Sequence, residues 1–83
     1  MRNLSDSEIE KITNNTPKIV GEQIIFYRKL NKISQTELAG MVGKDRQYIY
    51  KIEKGKVASN VVTLAIICEA LQIKLSELFE NVK

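Results

Sequence analysis

Two helix-start signals stand eleven residues apart, and a glycine falls between them. Ser34 has Glu37 three residues on, the spacing of a capping box. Leu38, Ala39 and Val42 follow at helical spacing, and Gly43 suits the left-handed position that ends a helix. Asp45 is then the N-cap of a second segment. It runs to about Lys54, turns Ile49 and Ile52 inward and is closed by Gly55. Two short helices joined by a tight glycine turn restrict the path of the chain more than any other feature it has.

The flanking segments read as helices too. Four Gly and one Pro punctuate the 83 residues, and no alternating segment bounded by turn residues is visible, so an all-α domain is expected. Residues 4–12 predict a short extra helix, with Ser5 and Glu8 as a capping box and Leu4 and Ile9 placed for a hydrophobic staple. Asn14, Asn15 and Thr16 break the pattern. Thr16 followed by Pro17 is the next start signal, for a helix to about Asn31. Its inward face is Val20, Ile24, Tyr27 and Leu30, with Arg28 beside them. Asn60 or Ser59 caps a helix through Leu71 with Leu64, Ile67, Cys68 and Leu71 inward. A last turn over about Leu75–Phe79 adds Leu78 and Phe79. The expected organisation is an N-terminal extension over 1–16 and one five-helix domain over 17–83.

Composition removes several kinds of chemistry. There is no His and one Cys, Cys68. A zinc site built on His and Cys, a Cys–His nucleophile and an intrachain disulfide are excluded. No glycine-rich phosphate loop with Lys-Ser/Thr, no cluster of acids for a metal and no nucleophile with a base are present, so no enzyme and no cofactor are expected. No apolar run approaches the roughly 20 residues that span a bilayer, and the first sixteen residues lack an apolar signal core. The expected location is cytoplasmic, away from membranes. Cys68 lies within an apolar helix face, where a cysteine behaves as a small hydrophobe.

The net charge of +3 is mild, but its placement is not even. Residues 44–56 carry five Lys/Arg and two Asp/Glu, a net +3, while residues 1–43 are net +1 and residues 57–83 net −1. On a helical wheel Arg46, Gln47, Tyr50, Lys51 and Lys54 share the side opposite Ile49 and Ile52. That side holds three cations, one amide and one aromatic ring, and no acid. A solvated helix face usually mixes signs to gain i, i+4 pairs. Arg and Gln are also side chains that make two hydrogen bonds at once to base edges in the DNA major groove. The face is either a solubilising surface or a nucleic-acid reader, and the turn ahead of it favours the second.

Residues 20–79 resemble the phage-repressor/Cro (XRE-like) type of helix-turn-helix domain. The resemblance rests on Val20-Gly21, Ile24, Arg28, Ser34-Gln35-Thr36-Glu37-Leu38-Ala39, Val42-Gly43, Ile49, Ile52-Glu53-Lys54-Gly55-Lys56, Thr63-Leu64, Ala70-Leu71 and Leu78-Phe79. The run Asp45-Arg46-Gln47-Tyr48-Ile49 is also similar to the small controller proteins of restriction–modification systems. The resemblance implies a compact five-helix, lambda-repressor-like fold whose recognition helix is 45–54.

By matching position, the resemblance makes Arg46, Gln47 and Lys51 base readers. Gln35 becomes a phosphate contact that also braces the side chain at 46. Lys54 and Lys56 grip the flanking backbone. Tyr50 and Tyr48 meet a phosphate through the hydroxyl or a thymine methyl through the ring, and half-buried packing is an equal alternative for Tyr48. Lys44 stands where the family has an apolar turn residue and offers another phosphate contact. Lys74 departs from the usual small polar cap. Arg28 and Glu53 correspond to an ion pair that ties the first family helix to the recognition helix.

A single reading head touches only about four to five base pairs, so a homodimer on a double-stranded DNA operator is expected. Val62, Ile66, Leu75, Phe79 and Val82 are the candidate dimer surface; Ile66 is favoured as interface and Phe79 as core. Leu4, Ile9 and Ile12 are alternatively covers for Ile25 and Phe26. Such a protein represses by blocking RNA polymerase or activates by touching it. The competing reading is an antitoxin or another protein-interaction module with secondary DNA binding, but no long tail able to wrap a toxin is apparent.

Overall fold

A computed structural model describes residues 2–82 and places them in five α-helices. These are α1 (Asp6–Leu30), α2 (Gln35–Val42), α3 (Arg46–Glu53), α4 (Val61–Leu71) and α5 (Leu75–Leu78). Among the described residues there is no strand.

Local side-chain hydrogen bonds explain where most of the helices start. Ser5, Ser34, Asp45 and Asn60 are the N-caps of α1 to α4. Each accepts from the backbone N–H three residues on, at 2.8–3.1 Å. Such a cap contributes about 1 kcal/mol. Glu8 and Glu37 reach back to the Ser5 and Ser34 N–H groups, both at 2.9 Å, completing the two capping boxes. These hydrogen bonds hold both carboxyls below their usual titration range. Lys74 has no capping acceptor, and Glu77 compensates by accepting the Lys74 N–H at 2.9 Å. Gly43 ends α2 at φ +72°, and the Lys44 N–H then closes on the Ala39 carbonyl at 2.9 Å. This left-handed turn is what a side chain would strain.

The first helix differs from the sequence reading. Residues 4–12 do not form a separate helix, and Thr16 is not an N-cap. A single helix of 25 residues runs from Asp6 through Asn14, Asn15 and Thr16 to Leu30, with Pro17 inside it. Pro17 has no N–H for the Thr13 carbonyl, a break that costs about 3 kcal/mol in an isolated helix. The helix nonetheless continues: Lys18, next to Pro17, is set directly against Gly55, and Gly21, one turn on, against the Ile52 and Glu53 carbonyls.

The core is drawn from all five helices. Val20 and Ile24 of α1, Leu38 and Ala39 of α2, Ile49 and Ile52 of α3, Leu64, Ile67, Cys68 and Leu71 of α4, and Leu78 of α5 are buried. Tyr27 and Val42 pack against them half-buried. Leu30 is not inward: it is 65% exposed, because it sits about 120° round the helix from Ile24. Phe26 is 56% exposed, on the side of α1 opposite Ile24, and is not covered by Leu4, Ile9 or Ile12. Ile9 and Phe26 belong to one continuous helix, about 25 Å apart along its axis.

Gly21 sets how closely α1 meets α3. A Cβ there would stand 2.5 Å from the Ile52 carbonyl oxygen and 2.6 Å from that of Glu53. Only a bare glycine lets the two backbones touch, and this contact holds the C-terminal end of α3.

Candidate nucleic-acid interface

Helix α3 is fixed from behind by a carboxylate. Glu53, its last residue, is only 5% exposed. It accepts from Arg28 twice, Nε to Oε2 at 2.6 Å and Nη2 to Oε1 at 3.1 Å. Arg28 Nη1 donates to the Ile33 carbonyl at 2.9 Å. Gln35 adds a third bond to Glu53, Nε2 to Oε1 at 2.9 Å. A buried charge is tolerated when paired and fully hydrogen-bonded. Here no buried side-chain N or O of the described residues lacks a partner. The expected Arg28–Glu53 pair is therefore formed, and Gln35 extends it to α2.

The other face of α3 carries the cations. Arg46, Gln47, Lys51 and Lys54 are exposed and Tyr50 is half-buried, while Ile49 and Ile52 point into the core. Both acids of the basic segment are hydrogen-bonded within the protein, Glu53 buried and Asp45 at the surface. Asp45 caps the helix by accepting the Tyr48 N–H at 2.8 Å, and Glu53 faces Arg28. The outward face is left positive. None of Arg46, Lys51 and Lys54 makes an ion pair among the described residues.

Two tyrosines organise the flanks. Lys54 Nζ and Lys56 Nζ lie 5.7 and 6.0 Å from the Tyr50 ring centre, so the ring gathers both lysines beside α3. Lys44 Nζ lies 5.0 Å from the Tyr48 ring centre. The Tyr48 hydroxyl is hydrogen-bonded to Ser59 Oγ, which ties the start of α3 to the segment before α4. Tyr48 is thus half-buried and its hydroxyl is engaged within the protein.

The structure brings Arg46, Gln47, Tyr50, Lys51 and Lys54 onto one face, with Lys44 and Lys56 at its edges. Gln35 sits at the first turn of α2, half-buried, with its amide turned to Glu53. Neither the Gln35–Glu53 bond nor the Tyr48–Ser59 bond was visible in the sequence, since each links residues far apart in the chain. Of the other candidates, Val62 and Ile66 stand out on α4, 67% and 47% exposed. Leu75, Phe79 and Val82 pack half-buried on the core. Phe79 also lines an apolar cavity of about 190 Å³ with Pro17, Val20, Ile52, Val57 and Leu64. Val61, equally exposed beside Val62, was not singled out from the sequence.

Other chemistry is sparse. Among the described residues no group of His, Cys, Asp and Glu is placed to hold a metal ion, and no helix is long and apolar enough to cross a membrane. Cys68 is buried, and burial first, then the Glu77 carboxylate, pushes its thiol pKa up. It remains an unreactive thiol in the core.

Known proteins share this arrangement. A family model described as helix-turn-helix matches residues 24–78. The control protein C.SmaI of Serratia marcescens is 33% identical over 61 residues, covering 74% of this chain and 73% of the relative. The restriction–modification controller protein C.AhdI of Aeromonas hydrophila superposes with a TM-score of 0.73 at 30% identity, over 76% of this chain and 96% of that one. The clp gene regulator ClgR of Corynebacterium glutamicum has the same fold, with a TM-score of 0.77 at 20% identity over 78% of this chain and 69% of that one. The chain belongs to the helix-turn-helix family of DNA-binding transcription regulators, in its phage-repressor (XRE-like) branch.

Proposed function

We propose that this protein is a sequence-specific regulator that binds an operator as a homodimer, with α3 of each protomer in the major groove. The observation that carries the reading is the acid-free outward face of α3: of the two carboxylates in residues 44–56, Glu53 is buried against Arg28 and Asp45 caps the start of the helix. On this reading Arg46, Gln47, Tyr50 and Lys51 meet base edges. Gln35, Lys44, Lys54 and Lys56 face the phosphates, Gln35 from its anchor on Glu53, while Tyr48, its hydroxyl engaged by Ser59, takes the packing role. Lysine–phosphate contacts supply affinity and its salt dependence. Base-edge contacts supply discrimination, about 1–3 kcal/mol for each bidentate pair.

The likeness to C.SmaI and C.AhdI favours control of a restriction–modification system. The protein works by occupancy and not by catalysis, in the cytoplasm, and acts on transcription by blocking or touching RNA polymerase. Val62 and Ile66 project from α4, and with Leu75, Phe79 and Val82 they form the surface that pairs two protomers. Dimerisation sets two recognition helices about 34 Å apart, one turn of DNA. Selection of bound duplexes from a random pool tests this. A pseudo-palindrome with half-sites one turn apart is expected; a pool that does not enrich refutes sequence-specific binding, and a single unpaired site refutes the dimer.

A further inference from the structure

Residues ahead of the helix-turn-helix match lie beside the exit of the recognition helix. Thr13, Asn14 and Lys18 of α1 face Gly55 and Lys56 across a polar groove. The two walls touch at Gly55. A Cβ there would meet Lys18 Cγ at 2.7 Å and Lys18 Cα at 2.8 Å, and the backbone is left-handed at φ +71°. The backbone of α1 thus lies flush on the loop, with the Lys18 stem laid across it.

The groove is continuous with the candidate DNA face, because Lys56 also lies over the Tyr50 ring. No acid lines it. Among the described residues neither Lys18 nor Lys56 makes an ion pair. Thr13 spends its hydroxyl on the Ile9 carbonyl at 2.8 Å, which leaves Asn14, Lys18 and Lys56 as the lining residues whose side chains can donate to a ligand. Hydrogen-bond donors with positive charge and no nearby carboxylate suit a phosphodiester.

The geometry points to a second DNA-backbone site, in which Lys18 and Asn14 of α1 join Lys56 in holding a phosphate outside the base pairs read by α3. This rests on the DNA-binding reading and adds to it a contact from outside the matched family segment. It also gives the continuation of α1 through Pro17 a consequence. A helix starting at Pro17 would leave Asn14 in a loop, whereas the continuous helix fixes Asn14 one turn from Lys18.

The test is the salt dependence of binding to the selected operator and to an unrelated duplex. Lys18→Gln keeps the stem over Gly55 and removes the charge. It is expected to lower the slope of log affinity against log salt by about 0.9 per protomer, the value for one phosphate. Between 50 and 200 mM salt the parent would lose about 3.5-fold more affinity per protomer than the variant. Base preference should not change. Asn14→Asp, which puts a carboxylate into the groove, should weaken both duplexes alike. Lys29→Gln, at an exposed cation about 17 Å further along the same helix, should keep the parent slope. A parent-like slope for Lys18→Gln overturns the site, as does an equal change for Lys29→Gln, which would reduce the effect to net charge. Failure of the parent itself to bind any duplex overturns the DNA-binding reading as well, so the two failures are distinct.

Discussion

Gln35 Nε2 and Arg28 Nη2 converge on one oxygen, Glu53 Oε1, at 2.9 and 3.1 Å. Through that carboxylate α1 and α2 both hold the end of α3. Arg28→Ala would leave Glu53 buried with only the Gln35 bond. Breaking a buried pair from one side costs about 3–5 kcal/mol. In a domain of this size that is a fall in melting temperature of at least roughly 12 °C. Thermal unfolding followed by circular dichroism reads it directly, and an unchanged melting temperature would remove the pair from the account of the fold.

Gly21→Ala tests the close approach of α1 and α3. The added Cβ would press on the Ile52 and Glu53 carbonyls, which are backbone atoms and cannot rotate away. The helices must separate, so stability should fall although alanine is the better helix former by about 1 kcal/mol. A rise in melting temperature, the outcome of helix propensity alone, would contradict the contact.

Arg46→Ala and Lys54→Ala should fail in different ways. Loss of a base-reading arginine costs about 1–3 kcal/mol and relaxes preference at one base pair. Loss of a phosphate-contacting lysine weakens every duplex alike and lowers the salt slope by about 1. Affinities for the operator and for single-base variants, each at two salt concentrations, separate these outcomes. Uniform weakening by both substitutions would show that Arg46 reads no base.

Ile66→Glu places a charge on the exposed face of α4, away from the buried Leu64 and Ile67. The fold should persist and the protein should sediment as a monomer. A variant that remains dimeric would move the interface elsewhere.

The capping boxes make stability depend on acid. The Ser34 N–H and hydroxyl hold Glu37 below its ordinary value of 4.5. A carboxyl depressed in the folded state stabilises above its unfolded pKa and loses that contribution as pH falls through the folded one. Glu37→Gln, which keeps an acceptor without the charge, should flatten the fall of the melting temperature as pH drops below the ordinary value of 4.5. A variant that tracks the parent below that value would show that the box adds no pH dependence.

The boundaries of α2, α3 and α4 were legible because their determinants are local. Ser34, Asp45 and Asn60 each bond a backbone group three residues away, and Gly43 meets a conformational demand of its own position. The acid-free face of α3 was legible for the same reason, since helical period alone sorts Arg46, Tyr50 and Lys54 from Ile49 and Ile52. The course of α1 was not. Asn14, Asn15, Thr16 and Pro17 locally favour a break, yet the helix runs on to where Lys18 meets Gly55 and Gly21 meets the end of α3, contacts distant in sequence. Tertiary structure likewise decided that Gln35 turns to Glu53, that Tyr48 binds Ser59 and that Lys18 crosses Gly55. Local preference differs between conformations by a few kcal/mol at most, and burial and hydrogen bonds formed at long range are large enough to reverse it.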